Sequence, residues 1–367
     1  MEPMTSLPLG ADGIASRTAV PLSGHTTLRL GGPAARFVAA GSAEEIAAAV
    51  RTADAGSEPV LVLGGGSNLV VADAGFPGTV VQVANTGSKI DSLGDGRVAL
   101  TVEAGEDWDA VVCRTVEAGL GGLECLSGIP GSVGATPVQN VGAYGVEVAQ
   151  LLISVDLLDR ASGEIRTLGV DELGLGYRTS MLKGTERAVV LRVRFELADG
   201  GLSEPIRYTE LARVLGVRQG KQVPVDLARA AVLELRRGKG MVLDPADHDT
   251  WSVGSFFTNP QVPDHELPGV LARIAARVGE DVPVPQYPAG VGTSKLSAAW
   301  LIERAGFSKG HPGHRVALST KHTLALTNRG DASTEDLLAL AREVRDGVRV
   351  AFGVDLQPEP VLVGCSL

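Results

Sequence analysis

A chain of 367 residues, 44 % hydrophobic and 21 % charged, has the balance of a soluble globular protein with room for two or three domains. Its 43 acidic against 33 basic side chains leave a net charge of -10, which argues against a nucleic-acid partner and for a small molecule. Three cysteines without C-x-x-C spacing build neither a disulfide framework nor a zinc site; with no secretory leader expected and no run of ~18–20 apolar residues to span a membrane, a cytoplasmic location is expected.

Residues 42–55 read as a helix, with Ser42 as cap, Glu45 three residues on, and Ile46, Ala49 and Val50 on an apolar face. EPVLVLGGGSNLVVAD reads as a buried strand, a triple-glycine turn and a second strand, and TVVQVAN and RVALTVEAG continue as strands. Residues 107–122 read as a helix ending at Gly119, and a glycine-dense stretch follows to Val148. LLISVDLLDRASGEIRTLG reads as a hairpin across Ala161-Ser162-Gly163, and 188–199 alternates as a half-buried strand does. Residues 224–238 form an amphipathic pattern with Leu227, Ala231 and Leu235 on its apolar face and arginines near its C-terminal end. Helices are expected at 267–279, 297–306 and 333–353, a strand at 322–328, and a last strand in PVLVG at 360–364. With no steady βαβ period and no repeat, the expected class is α+β with several domains.

Several segments could carry chemistry. A strand ending in Gly64-Gly65-Gly66-Ser67-Asn68 suits a nest of N–H groups for phosphate, and equally a tight hairpin turn; it is neither a Walker A loop nor a dinucleotide fingerprint. Residues 126–145 are too apolar for a flexible linker and too glycine-rich for ordinary core, which favours backbone hugging a ligand over a rigid buried connector. Arg178 beside Tyr177 could hold a carboxylate or phosphate, although a lone arginine is usually a surface charge. Ser255 in WSVGSFFTNP has no nucleophile elbow, and nothing pairs a particular histidine with it. Glu359, between two prolines, reads by itself as a solvated edge residue. His311 and His314 are separated by Pro-Gly and lack further ligands, so no metal is expected.

LGGGSNLVV, GLECLSGIPGSVGATPVQNVGAYG, YRTSMLKG, GSFFTNP, SAAWLIERAGFSKG and PEPVLVG occur in the order found in the UDP-N-acetylenolpyruvoylglucosamine reductase family, which the chain resembles from residue 20 to 364. The resemblance implies a three-region flavoprotein with the FAD-binding fold of the vanillyl-alcohol-oxidase-like superfamily and a substrate-binding α/β domain. The implied regions are 1–85 with 340–367 and 86–238 for FAD, and 239–339 for substrate. It implies that FAD is cradled by Leu63, Gly64, Gly65, Gly66, Ser67 and Asn68 and by a second set in the 128–142 segment. That set is Gly128, Ile129, Pro130, Gly131, Ser132, Gly134, Ala135, Pro137, Gln139, Asn140 and Gly142.

The implied reaction has NADPH reduce FAD and leave, after which hydride passes to the methylene carbon of UDP-N-acetylglucosamine enolpyruvate. Arg178 and Glu359 are then expected at the substrate carboxylate, Arg178 stabilising the developing charge and Glu359 protonated or sharing a proton. Ser255 is expected to protonate the carbanion carbon, a task within reach of a weak acid, while Phe256 and Phe257 anchor its loop by packing. Substrate contacts are implied for Tyr177, for Tyr208 in a loop at 206–216, and for Lys239, Asn259, Tyr287 and His322. Arg236 and Arg237 read as a solvated helix end, and 241–253 is longer than in some relatives. A monomer without membrane contacts is expected. The alternative is another FAD-dependent oxidoreductase of the same fold, for which GSFF-x-NP and Glu359 are the wrong features.

Overall fold

The computed structural model describes residues 13–367; the expected absence of a leader falls partly on residues outside these. Backbone contacts divide the chain into two compact units. One takes the chain up to Val20 with Pro33–Gly66 and Phe76–Val242; the other takes Pro21–Gly32, Ser67–Gly75 and Leu243–Leu367.

In the first unit, strand Phe76–Val83 lies between two parallel partners, Pro33–Ala40 and Val60–Leu63, with Val81 opposite both Val38 and Val62. Helix α1 (Ala43–Ala55) links those partners and buries Ile46, Ala47, Ala49, Val50 and Ala53. Ser42 Oγ caps it by accepting from Glu45 N at 3.2 Å, but Glu45 Oε2 reaches back to Gly41 N, one residue before the cap. The second sheet is antiparallel, in the order Ile165–Gly169, Leu152–Asp159, Ala188–Asp199, Arg97–Glu103, Ser88–Gly94. Its first two strands form the expected hairpin, with Leu158 opposite Ile165. Helix α2 (Trp108–Glu117) is capped by Asp107, and its buried Trp108 meets Phe195 edge-on at 5.8 Å while donating Nε1–H to Leu126 O.

Two expectations change here. Residues 206–216 are not all loop, because Thr209–Leu215 forms helix α3, which buries Leu211 and Ala212 and ends at left-handed Gly216. Helix α4 (Val225–Gly238) does not bury Leu227, which is 53 % exposed. Val225, Ala228, Ala231 and Val232 face the core instead, with Leu235 packed at its edge. Small residues at this spacing let the helix approach closely, and that sets its rotation over the longer leucine pattern.

The second unit holds α5 (Leu267–Val278), α6 (Ala298–Ala305) and α7 (Thr334–Phe352), the last opened by a reciprocal Ser333–Asp336 capping box. A three-stranded antiparallel sheet has Thr293–Leu296 between Gln261–Pro263 and Gln286–Pro288. The strand expected at 322–328 is shorter: only Leu326–Asn328 pairs, with Val316–Leu318, because Ala325 N bonds back to His322 O and makes a turn. The closing strand Val361–Val363 pairs in parallel with Leu69–Val71. That pairing removes the hairpin reading of the triple glycine. Strands Val60–Leu63 and Leu69–Val71 do not pair with each other but belong to different sheets.

Candidate functional site

The triple-glycine turn packs against the second glycine-rich segment within the first unit. A Cβ on Gly64 would lie 2.4 Å from Ser132 Oγ, and one on Gly65 would lie 2.7 Å from Gly131 Cα. The two segments expected to cradle FAD therefore touch, and glycine is what allows it. Gly66 is left-handed at φ 60°, and the N–H groups of Gly65 and Gly66 meet no acceptor among the described residues. Successive unpaired N–H groups on such a turn form an anion-binding nest.

Residues 138–142 in turn hold the loop that carries Arg178. Gly176 and Thr179 bond each other's backbone in both directions, closing a turn with Tyr177 and Arg178 at its tip. Arg178 has φ 52°, where a side chain costs about 1–2 kcal/mol, so the turn is held from outside. Bonds to residues 138–142 help hold it: Asn140 Nδ2 to Gly176 O at 3.0 Å, Arg178 Nη2 to Gly142 O at 2.9 Å, and Ser180 Oγ to Val138 O at 2.5 Å; Lys183 Nζ also donates to Arg178 O at 2.8 Å. Asn140 is buried, and its side chain also donates to Glu147 Oε2 and accepts from Ala149 N. Its carboxamide is committed to the protein and its N–H donates to Pro137 O, which leaves its backbone carbonyl as the part a cofactor could meet.

Arg236 corrects an expectation. It is not a solvated helix end, because Gly240–Val242 folds back: Met241 N donates to Arg236 O, and Arg236 Nη2 donates to Met241 O at 2.7 Å. Its Nε is sealed from solvent and meets no acceptor among the described residues. Burial pushes its pKa down; nearby Tyr144 and Asp109 pull the other way, and Arg178 adds to the push. A Cβ on Gly128 would come within 3.4 Å of that Nε. Asp109 cannot answer the charge in full, since it is already held by Arg229 at 2.6 and 2.9 Å and by Gly128 N. Arg237 is exposed.

Beside Arg236 lies Tyr144, a residue that the sequence did not single out. Tyr144, left-handed at φ 50°, meets Tyr208 edge-on at 5.4 Å. Lys239 caps the C-terminal end of α4 and pairs with Glu210 of α3 at 2.8 Å. The first unit thus gathers Arg178, Arg236, Lys239, Tyr144 and Tyr208 around few carboxylates. No sequence pattern signals the burial of Arg236, because only the fold-back at Met241 creates it.

In the second unit, Ser255 enters on a segment paired with the residues around Glu359. Phe257 bridges Pro358, Thr258 N donates to Gln357 O, and Glu359 N donates to Phe256 O at 2.9 Å. Phe256 and Phe257 are fully buried and meet edge-on at 5.1 Å, the packing role expected of them. Asn68 Nδ2 reaches Glu359 O at 3.4 Å, and Val361 N donates to Asn68 O. Asn259 Oδ1 accepts from Ala298 N at the start of α6, which fixes the amide and leaves its NH2 for a ligand. His322 follows a turn whose Ser319 Oγ accepts from Lys321 N and His322 N. Tyr287 is 48 % exposed and sits opposite Lys295 in the three-stranded sheet.

A model of an FAD binding domain matches residues 34–169, the span that contains both glycine-rich segments. Fold and site together define an FAD-dependent oxidoreductase. A second model, the C-terminal domain of UDP-N-acetylenolpyruvoylglucosamine reductase, matches residues 244–363. The enzyme of that name from Saccharopolyspora erythraea is 68 % identical, over 97 % of this chain and 98 % of its own. The one from Thermobifida fusca is 57 % identical over 95 % and 98 %. A crystal structure of the Thermus caldophilus enzyme is 27 % identical and covers 95 % of this chain and 98 % of its own, with a TM-score of 0.64. The chain belongs to the UDP-N-acetylenolpyruvoylglucosamine reductase family.

Proposed function

We propose that the chain reduces UDP-N-acetylglucosamine enolpyruvate to UDP-N-acetylmuramate, a step in peptidoglycan precursor synthesis, with FAD bound and NADPH as electron donor. The observation that carries this reading is the near-full-length 68 % identity to a reductase of that name. The residues present fit FAD: glycines packed back to back, the open N–H groups of Gly65 and Gly66, and the orphaned Arg236 Nε suit a dinucleotide with anionic and electron-rich edges.

Bound FAD supplies the two-electron chemistry between NADPH and substrate. The chain's own residues then act on the enolpyruvyl group. Arg178, fixed by Gly142 O, holds the substrate carboxylate and the charge that develops toward it. Glu359, its backbone locked to Phe256, shares that carboxylate through a proton. Ser255 gives its hydroxyl proton to the carbon beside the carboxylate. Lys239 meets the diphosphate, and Tyr177, Tyr208, Asn259, Tyr287 and His322 orient the remainder of the substrate. The working division remains three regions: 1–85 with 340–367 and 86–238 toward FAD, and 239–339 toward substrate. We place the protein in the cytoplasm as a monomer.

The test is anaerobic. NADPH should bleach the flavin absorbance of the purified protein, and the enolpyruvyl nucleotide should restore it without oxygen. Bleaching with no recovery on adding that nucleotide would instead favour another FAD oxidoreductase of this fold.

A further inference from the structure

Lys239 is the lysine that the proposed function assigns to the substrate diphosphate, and the present inference rests on that reading. Its ammonium lies 2.8 Å from Glu210 Oε2, with the two side chains 36 % and 34 % exposed. Glu210 is the second residue of α3, a helix of seven residues anchored by Leu211 and Ala212. Tyr208 immediately precedes that helix and meets Tyr144 edge-on. Arg236 and Arg178 add positive charge to the same neighbourhood, while Asp109 is held by Arg229. Within this group, Glu210 is the carboxylate bonded to Lys239.

We infer that Glu210 is a stand-in anion, occupying the Lys239 ammonium until a nucleoside diphosphate displaces it and thereby setting the affinity for that ligand. Carboxylate and phosphate oxygens accept from the same ammonium N–H groups, and two anions crowded on one cation repel each other. The bond to Glu210 must therefore loosen as a diphosphate arrives. The exposed position makes the exchange inexpensive, because a half-solvated ion pair is weak. Glu210 in this role sets specificity and touches no reacting atom. A glutamine in its place keeps the shape and loses the competing charge. If Glu210 only pinned α3, its loss would loosen Tyr208 and weaken every uridine ligand alike.

Calorimetry on the FAD-loaded protein separates these cases, with UDP and uridine as probes at low ionic strength. Glu210→Gln and Glu210→Ala should each bind UDP about two- to five-fold more tightly than the native chain, the worth of an exposed ion pair, with uridine unchanged. UDP binding that is unchanged or weaker in both variants overturns the inference. Lys239→Met tests the underlying reading separately. If it binds UDP as tightly as the native chain, the assignment of the lysine to the diphosphate fails. If it weakens UDP while the Glu210 variants do not tighten it, only the role of Glu210 fails.

Discussion

The amide of Glu359 donates to the carbonyl of Phe256 at 2.9 Å, so the residue that follows Ser255 is fixed by backbone to the carboxylate proposed to work with it. The two buried phenylalanines hold one side of this pairing, and Pro358 and Pro360 restrict the other. A weak acid can be useful only if it is held still beside the carbon it protonates. Side-chain packing and a short backbone ladder provide that here.

Ser255→Ala should leave the fold and the flavin intact, since the Ser255 side chain carries none of these bonds. Bleaching of flavin by NADPH should proceed at close to the native rate, while reoxidation by the enolpyruvyl nucleotide slows by about 10²–10⁴, the usual worth of a positioned proton donor. Stopped-flow single turnovers resolve the two halves. Native-rate reoxidation would remove Ser255 from the mechanism.

Arg236→Met should move stability and binding in opposite directions. An unpaired buried N–H costs about 1–3 kcal/mol, so the flavin-free protein should gain on the order of 1 kcal/mol after the bond to Met241 O is lost. The added thermal stability on loading FAD should shrink, because the ligand loses a charge-assisted donor. Melting curves of the two forms give both numbers. An unchanged FAD increment would place Arg236 outside the cofactor site.

Much of this site was legible as pattern. Alternation and caps give the 152–169 hairpin, α1, α2 and α7, and glycine density marks both segments that turn out to touch. What pattern could not give is partnership. Whether Leu69–Val71 returns to Val60–Leu63 or goes to Val361–Val363 depends on residues almost 300 positions away. Arg236 shows the same limit at the level of one side chain. Its position at a helix end predicts solvation, and the return of Met241 over it reverses that. Leu227 fails for the converse reason, since a helical stripe of leucines says nothing of the neighbour that selects which side is buried.

Asp109 should make the packing of α2 and α4 sensitive to acid. Its partial burial would raise its pKa, but the two bonds from Arg229 and the one from Gly128 N prevail and hold it below the usual value. A carboxyl depressed in the folded state contributes stability that is fully present above its unfolded pKa and is lost as pH falls through the folded one. Urea midpoints of the native chain and Asp109→Asn should therefore differ near neutral pH and converge below about pH 4. A constant gap across that range would show that the charge does not matter.

Gly65→Ala tests the contact between the two glycine-rich segments. The glycine does not have a left-handed backbone, so alanine costs nothing in φ and ψ there. What it meets is Gly131, with Cα at 2.7 Å and C at 2.9 Å from the new methyl. Both are backbone atoms, so the turn must move as a unit away from residues 131–132. That displaces the open N–H groups of Gly65 and Gly66 from a phosphate they would hold, while the sheet behind, closed by Val62 and Val81, stays paired. The variant should fold, purify with little yellow colour, and bind added FAD about 10–100-fold more weakly, the loss of one or two charge-assisted bonds. Gly216→Ala is the matched control. It forces a side chain into φ 67° with no neighbour within 4 Å, so it should cost about 1 kcal/mol of stability and leave FAD affinity unchanged. Native FAD affinity in Gly65→Ala would mean that the cofactor does not depend on this turn, and the cradle would have to be sought along residues 128–142 alone.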